Sequence, residues 1–305
     1  MIALDTNILA RFYVDDPNDP EATKQRPVAY AVISKNPSLF VPLTVTLGKE
    51  SYQEGPQLDA PSFYSKLETT GLLPTTSQPS AGVFAELYRT LAKTSESILS
   101  IHISSGLSGT LNSAQAGAQE VPEAKVTFFD TKTLSAGAGW MVEAAARAIQ
   151  AGWAMERVVP FLERIRESTE TIYTLKELKY LIHGGRISHI KGLLASVLDI
   201  KPIIGVDTKG DGKYIQMGQA RTIASAIKSL AEILKNRMSA AGPFRTQVVY
   251  ALNAESVDEI QKAISEKLAC YWLPASRLSL VLGAHTGPTL IGAICAPRAV
   301  FEGVS

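Results

Sequence analysis

Leu99-Ser100-Ile101-His102-Ile103-Ser104-Ser105-Gly106-Leu107-Ser108-Gly109-Thr110 is an apolar run that breaks into a turn built of serine, glycine and threonine. The run spans Ile98 to Ile103, and a helix-compatible segment, Leu111-Asn112-Ser113-Ala114-Gln115-Ala116, follows it. The pattern predicts a buried strand passing through a tight turn into a helix. Such a junction presents hydroxyls and bare backbone N–H groups at a helix N-terminus, a setting suited to carboxylate or phosphate. Ser and Thr are also good caps, so taken alone the turn reads more simply as a well-capped junction.

Three further segments share its character. Pro74-Thr75-Thr76-Ser77-Gln78-Pro79-Ser80 precedes a helical pattern carried by Val83, Phe84, Leu87 and Leu91. Gly184-Gly185-Arg186-Ile187-Ser188 lies mid-chain, and Gly283-Ala284-His285-Thr286-Gly287-Pro288 follows the run Leu278 to Leu282, which reads as a strand. Polar junctions at the ends of apolar runs converge in an α/β fold, where ligands sit beyond the carboxyl ends of parallel strands.

These blocks carry a resemblance. Thr76-Ser77-Gln78-Pro79, Leu99 to Thr110, Gly184 to Ser188, Ile200-Lys201-Pro202-Ile203 and His285-Thr286-Gly287-Pro288 resemble, in order, the signature blocks of DegV-family fatty-acid-binding proteins. The resemblance runs from about Val41 to near the C-terminus. It implies a two-domain α/β architecture, with an N-terminal parallel-sheet domain and a C-terminal mixed-sheet domain. It also implies a bound long-chain fatty acid, presented to a fatty acid kinase that makes the acyl phosphate.

Composition sets limits. A chain of 305 residues is long enough for two modest domains. A net charge of +1 argues against an electrostatically driven nucleic-acid binder, and no nucleic acid is expected as a partner. Cys270 and Cys295 form neither a disulfide framework nor a zinc motif, and both are expected in apolar packing. The N-terminus shows no basic segment followed by an apolar h-region, and no apolar run approaches membrane-spanning length. A cytoplasmic protein is the expectation, with transient contact at a membrane surface open to it.

Strand-like runs alternate with helical patterns. Lys125 to Phe129 reads as a strand, and Met141 to Ile149 and Met155 to Arg166 read as helices, which favours a helix-covered parallel sheet. Beyond about Ser168 the pattern changes. Ile203 to Val206 and Tyr214 to Met217 flank a glycine turn and read as an antiparallel hairpin. Helices are expected around Ile223 to Leu234 and Val257 to Leu268, and a strand over Thr246 to Leu252. The expected domains are therefore 1–170 and 171–305, divided near Glu170.

Residues 1–47 are atypical. Met1-Ile2-Ala3-Leu4-Asp5-Thr6-Asn7-Ile8-Leu9, then Asp15-Asp16-Pro17, resemble the opening of a PIN-domain nuclease of the VapC toxin type. That resemblance implies a metal-dependent RNase, the rival reading. A PIN nuclease needs several carboxylates around divalent ions. Asp5 qualifies, but Gly48 stands where the next acid is wanted and Glu50 is displaced.

A fatty acid needs a dry apolar tunnel for its tail and hydrogen bonds for its carboxylate. By resemblance, Thr76 and Ser108 bond the carboxylate and His285 lies beside them. Ser77, Gly109, Thr110 and Thr286 complete the expected ligand-binding set. A protonated imidazole would stabilise the anion, and a neutral one would donate a single hydrogen bond. Arg186 and Arg221 are expected at the pocket mouth, facing a partner. Lys201 is either functional or a structural residue at the domain junction. His102 reads as a satisfied core histidine, and His183 and His189 as surface residues. No catalytic residue, metal ligand or cofactor is assigned. A serine hydrolase pairing Ser105 or Ser108 with His285 is the weaker enzyme alternative, since no G-x-S-x-G elbow is present.

Overall fold

The structure, a computed structural model, describes residues 2–5, 40–53, 60–187, 189–190, 200–238 and 242–304, with residues 2–5 and 40 as backbone only. A four-stranded parallel sheet has the order β2-β1-β6-β7, formed by Phe40–Val41, Ile2–Asp5, Ile98–His102 and Val126–Asp130. A three-stranded antiparallel sheet, β4-β3-β5, joins Glu50–Gln53, Thr44–Leu47 and Thr75–Ser77. A six-stranded mixed sheet follows the order β10-β9-β8-β13-β11-β12. Its strands are Tyr214–Ala220, Lys201–Val206, Glu170–Thr174, Ile291–Pro297, Phe244–Tyr250 and Cys270–Arg277.

The helices are α1 (Ala60–Thr70), α2 (Ala81–Ala92), α3 (Thr110–Gln119), α4 (Ser135–Gln150), α5 (Met155–Ser168), α6 (Lys179–His183), α7 (Ile223–Arg237), α8 (Val257–Ser265) and α9 (Leu280–Thr286). Alternation along the strands of the large sheet feeds two apolar layers. On β8, Ile172 joins Ile227, Leu230 and Ile260 from α7 and α8, whereas Tyr173 faces the layer containing Trp140 and Met141 of α4. Helix α4 is alanine-rich, which suits a helix buried on nearly every side. Thr222 and Ser225 form a reciprocal capping box that starts α7 just past the end of β10. Cys295 lies in the α7–α8 layer, with Cys270 packed against it, and both are free thiols.

His102 is buried, as expected, between Phe84 and Phe128. Its Nε2 lies 2.7 Å from Ser100 Oγ, which in turn is 2.8 Å from the Tyr88 hydroxyl. Burial pushes its pKa down to about 4, against a smaller upward pull from Asp130. His183 and His189 are exposed, also as expected.

One expectation needs correction. Leu278 to Leu282 is not a strand: Ser279 caps α9, its hydroxyl accepting from Leu282 N at 3.4 Å, and the strand lies earlier, at Cys270–Arg277. The nuclease reading finds no support where the structure describes the chain. Gly48, at φ +63°, turns the β3–β4 hairpin. Glu50 is held at the surface by Lys66 Nζ at 2.8 Å and the Tyr52 hydroxyl at 2.6 Å, which draws its pKa down. No group of three potential metal ligands occurs among the described residues. The expectations on residues 6–39, the Asp5 side chain and Ser188 fall outside the described residues.

Candidate functional site

A small open cleft lies where β5, the turn after β6, α9 and the start of β10 meet. Strand β5 pairs antiparallel with β3, and its side chains alternate. Thr76 is therefore half-buried and turned inward, while Thr75 and Ser77 are exposed on the other face. The same alternation turns Ser77 to the face opposite Thr76, and it does not line the cleft.

His285 comes from α9, where Ser279 fixes the start of the helix and α6 packs alongside. Its Nε2 is 2.7 Å from Thr76 Oγ1. The ring is 9% exposed, and Nδ1 has no hydrogen-bond partner. Burial, reinforced by the nearby Arg186 and His183 charges, pushes the imidazole pKa down to about 3. Of the two forms considered above, the neutral ring is the one this environment holds. Thr286 is buried but bonds its own helix, donating to Leu282 O at 2.9 Å, and does not line the cleft.

Ser108 reaches the same cleft from the turn after β6. Its Oγ lies 2.7 Å from Thr110 Oγ1 and accepts from Thr110 N at 3.3 Å. Thr110 is thus a buried support for Ser108 at the N-terminus of α3 rather than part of the lining. The turn is docked onto the β9–β10 connection. Ser104 Oγ donates to Gly212 O at 2.8 Å, and a Cβ on Gly106 would stand 2.3 Å from Asp211 O. Gly109 serves close approach as well: a Cβ there would meet Gln78 Oε1 at 2.3 Å. Gln78 in turn donates to Ser113 Oγ at 2.8 Å, so one amide ties the end of β5 to α3 and sets Thr76 against Ser108.

Arg186 lines the cleft with its guanidinium anchored. Nε donates to Leu107 O at 3.3 Å and Nη1 to Gly184 O at 2.5 Å. Arg221 is not brought there. It is exposed and follows the end of β10 opposite Tyr214, roughly 20 Å along the strand from that cleft residue. Lys201 donates to Lys176 O at 3.4 Å, a structural contact between β9 and the end of β8.

The remaining walls were not singled out in the sequence. Leu43, Ile103, Leu107, Val281 and Leu282 make them apolar, with Tyr214 beside them. Burial pushes the Tyr214 phenol up to about 12, so it stays neutral. These residues come from separate elements, and no local motif marks them.

The arrangement brings two hydroxyls, a neutral imidazole and the Arg186 guanidinium together with apolar side chains in one cleft. That suits an amphiphile with a single anionic head. It does not suit nucleophilic catalysis. Nε2 of His285 faces Thr76 rather than a serine, and no acid among the described residues orients Nδ1. Ser105 instead donates to Asp130 Oδ2 at 2.6 Å, away from His285.

Comparison with known proteins gives a consistent result. A family profile described as an uncharacterised protein of the DegV family matches residues 30–298. Protein DegV of Bacillus subtilis is 32% identical over 257 residues, 84% of this chain and 90% of that protein. A DegV domain-containing protein of Deinococcus radiodurans is 31% identical over 258 residues, 85% of this chain and 88% of the relative. A DegV family protein from Thermus thermophilus, solved for its fatty acid binding, superposes with a TM-score of 0.80 at 27% identity, covering 97% of this chain and 99% of that one. The crystal structure of DegV, a fatty acid binding protein from Bacillus subtilis, gives 0.79 at 26% identity over 97% and 98% of the two chains. The profile match takes in the stretch at Val41 to Thr46 where the two resemblances overlapped. The chain belongs to the DegV family.

Proposed function

We propose that this DegV-family chain binds one long-chain fatty acid, with the carboxylate held by Thr76 and Ser108 in the cleft and the tail running along its apolar wall. The observation that carries the reading is the pairing of Thr76 with a buried, neutral His285 beside Ser108, in a cleft also lined by Leu43, Ile103 and Val281. A buried carboxylate must keep its hydrogen bonds. Two hydroxyls can supply them, and the fixed Arg186 guanidinium offsets the charge. Each buried methylene contributes about 0.8 kcal/mol, so the tail supplies most of the affinity. The fatty-acid binding of the Thermus thermophilus and Bacillus subtilis relatives supports the same reading.

The protein is read as a carrier, not a catalyst. We place its two domains on either side of Glu170, with the acyl chain between them. It would present the acid to a fatty acid kinase, and Arg186, beside the carboxylate in the cleft lining, is the residue suited to a phosphate or an acidic partner surface. Arg221 could face such a partner only at a second, separate contact. No helix among the described residues is long and apolar enough to cross a membrane. We place the protein in the cytoplasm, with membrane contact limited to exchange of the acid. Calorimetric titration of delipidated protein with hexadecanoic acid tests the binding reading. A stoichiometry of one is expected, and absence of saturable binding would overturn it.

A further inference from the structure

We propose that the buried Glu143–Arg245 ion pair pins α4 in place on the mixed sheet, and that α4 in turn holds the two turns that bring Ser108 and Tyr214 to the cleft. Neither residue lines the cleft, so both are positioning residues. The proposal rests on the fatty-acid reading and adds a determinant of how long the acid is retained.

Helix α4 lies against β1 of the parallel sheet and against β11 and β13 of the mixed sheet. Alanine and glycine make up much of its surface, which gives it few ridges to interlock with its neighbours. One polar contact interrupts that smooth layer. Arg245 of β11 donates from Nη2 to Oε2 of Glu143, and the two residues are 7% and 3% exposed. The guanidinium packs on the Trp140 ring at 5.0 Å and the Phe301 ring at 4.7 Å. Trp140 Nε1 donates to Gln247 Oε1 at 3.0 Å, and Gln247 Nε2 donates to Pro274 O at 2.9 Å.

This pair is poorly suited to a purely stabilising role. Glu143 Oε1 and Arg245 Nε make no hydrogen bond, and the Arg147 guanidinium stays 3.9 Å from Oε1. Apolar side chains of similar volume commonly replace such a pair without loss of stability. What the pair supplies is direction. Apolar contacts are non-directional, whereas a carboxylate meets a guanidinium in one register.

The start of α4 connects that register to the cleft, roughly 12 Å along the axis from Glu143. Thr133 O accepts from Ser104 N at 2.9 Å, and Ser104 O accepts from Ser108 N at 3.0 Å. Lys132 Nζ donates to Gly210 O at 2.7 Å, in the connection that leads into Tyr214. The same connection is strained: Lys132 has φ +46° and Ser135 φ +65°. Non-glycine residues keep that conformation only where their surroundings over-determine it. A helix fixed at Glu143 cannot slide to relax it.

The test compares full-length wild type with the Glu143→Leu, Arg245→Met double variant, each loaded with radiolabelled hexadecanoic acid and mixed with excess phosphatidylcholine vesicles. The urea midpoint of the double variant should match or exceed that of wild type. Its release of the acid should be faster by roughly 2- to 30-fold. Release at the wild-type rate refutes the proposal, whatever the midpoint. Ile227→Ala opens a cavity in the α7–α8 layer and lowers stability without touching α4. Its release should stay at the wild-type rate, and equal acceleration there would refute positioning in favour of general destabilisation. Arg245→Lys keeps the charge and loses the planar fork. It supplies the same comparison should the double variant not fold, with faster release expected and the wild-type rate again refuting. Wild type that takes up no hexadecanoic acid removes the fatty-acid reading itself. Wild type that binds it, with variants releasing at the same rate, removes the pin alone.

Discussion

Replacing Thr76 by valine keeps the shape of the side chain and removes one oxygen. In the bound state that oxygen donates to an ionised carboxylate, an interaction worth about 1.5–3 kcal/mol. The dissociation constant for hexadecanoic acid should rise roughly 10- to 150-fold. The tail contacts with Leu43, Ile103 and Val281 are untouched. The loss therefore equals about two to four methylenes at about 0.8 kcal/mol each. The variant should bind hexadecanoic acid about as well as wild type binds an acid shorter by that many carbons. The free protein pays less, because Thr76 is half-buried and the substitution leaves only His285 Nε2 without its partner. Calorimetry above the carboxylate pKa, with wild type titrated across a chain-length series, gives both quantities. Thermal melting without ligand checks the fold. A dissociation constant within two-fold of wild type, in a variant that melts normally, would refute Thr76 as a carboxylate ligand.

Ser108→Ala should weaken binding by a similar factor. It should also lower the melting temperature more than Thr76→Val, because it strands the fully buried Thr110 hydroxyl; equal melting in the two variants would contradict that order. Gly184→Ala puts a Cβ on Nδ1 of His285 and should cut affinity about ten-fold or more without touching the ligand, and wild-type affinity there would show that the ring is not held by that contact. Stability should fall in acid. His102 and His285 have folded pKa values near 4 and 3, below the ordinary 6.5, so the unfolded chain takes up the extra protons. Their contribution is complete above pH 6.5 and shrinks as pH drops toward 4, by about 2 kcal/mol per imidazole at pH 5. Urea unfolding at pH 7.5 and pH 5 measures this, and equal stability at both would contradict two buried neutral rings. Incubation with RNA and Mg²⁺ or Mn²⁺ should give no cleavage; activity that disappears in Asp5→Ala would restore the nuclease reading.

The junction from β6 into α3 was legible because a fully apolar strand, a Ser/Gly/Thr turn and a helical period stand side by side in the sequence. The β9–β10 hairpin and α7 were legible for similar local reasons. Leu278 to Leu282 was not, since a five-residue apolar run has the same pattern as strand or as buried helix. Ser279, which caps α9, was the available signal. The β3–β4 hairpin announced itself only by Gly48, and β13, Ile291–Pro297, only by a short apolar run. At the site, Thr76, Ser108, Arg186 and His285 were readable from their blocks, and the structure brings all four to one cleft. Ser77 and Thr286 share those blocks but point elsewhere, one by strand alternation and one by bonding back into its helix. The apolar wall was not readable, because Leu43, Ile103 and Val281 meet only after the chain has folded.

The central claim is occupancy by a fatty acid. Organic extraction of protein purified from a bacterial host, followed by mass spectrometry with quantitation against protein, tests it most directly. The account predicts a long-chain fatty acid in about equimolar amount, and its loss in parallel with affinity in the Thr76→Val, Ser108→Ala double variant. Repeated preparations with no extractable acyl chain, and no uptake when fatty acid is added, would contradict it.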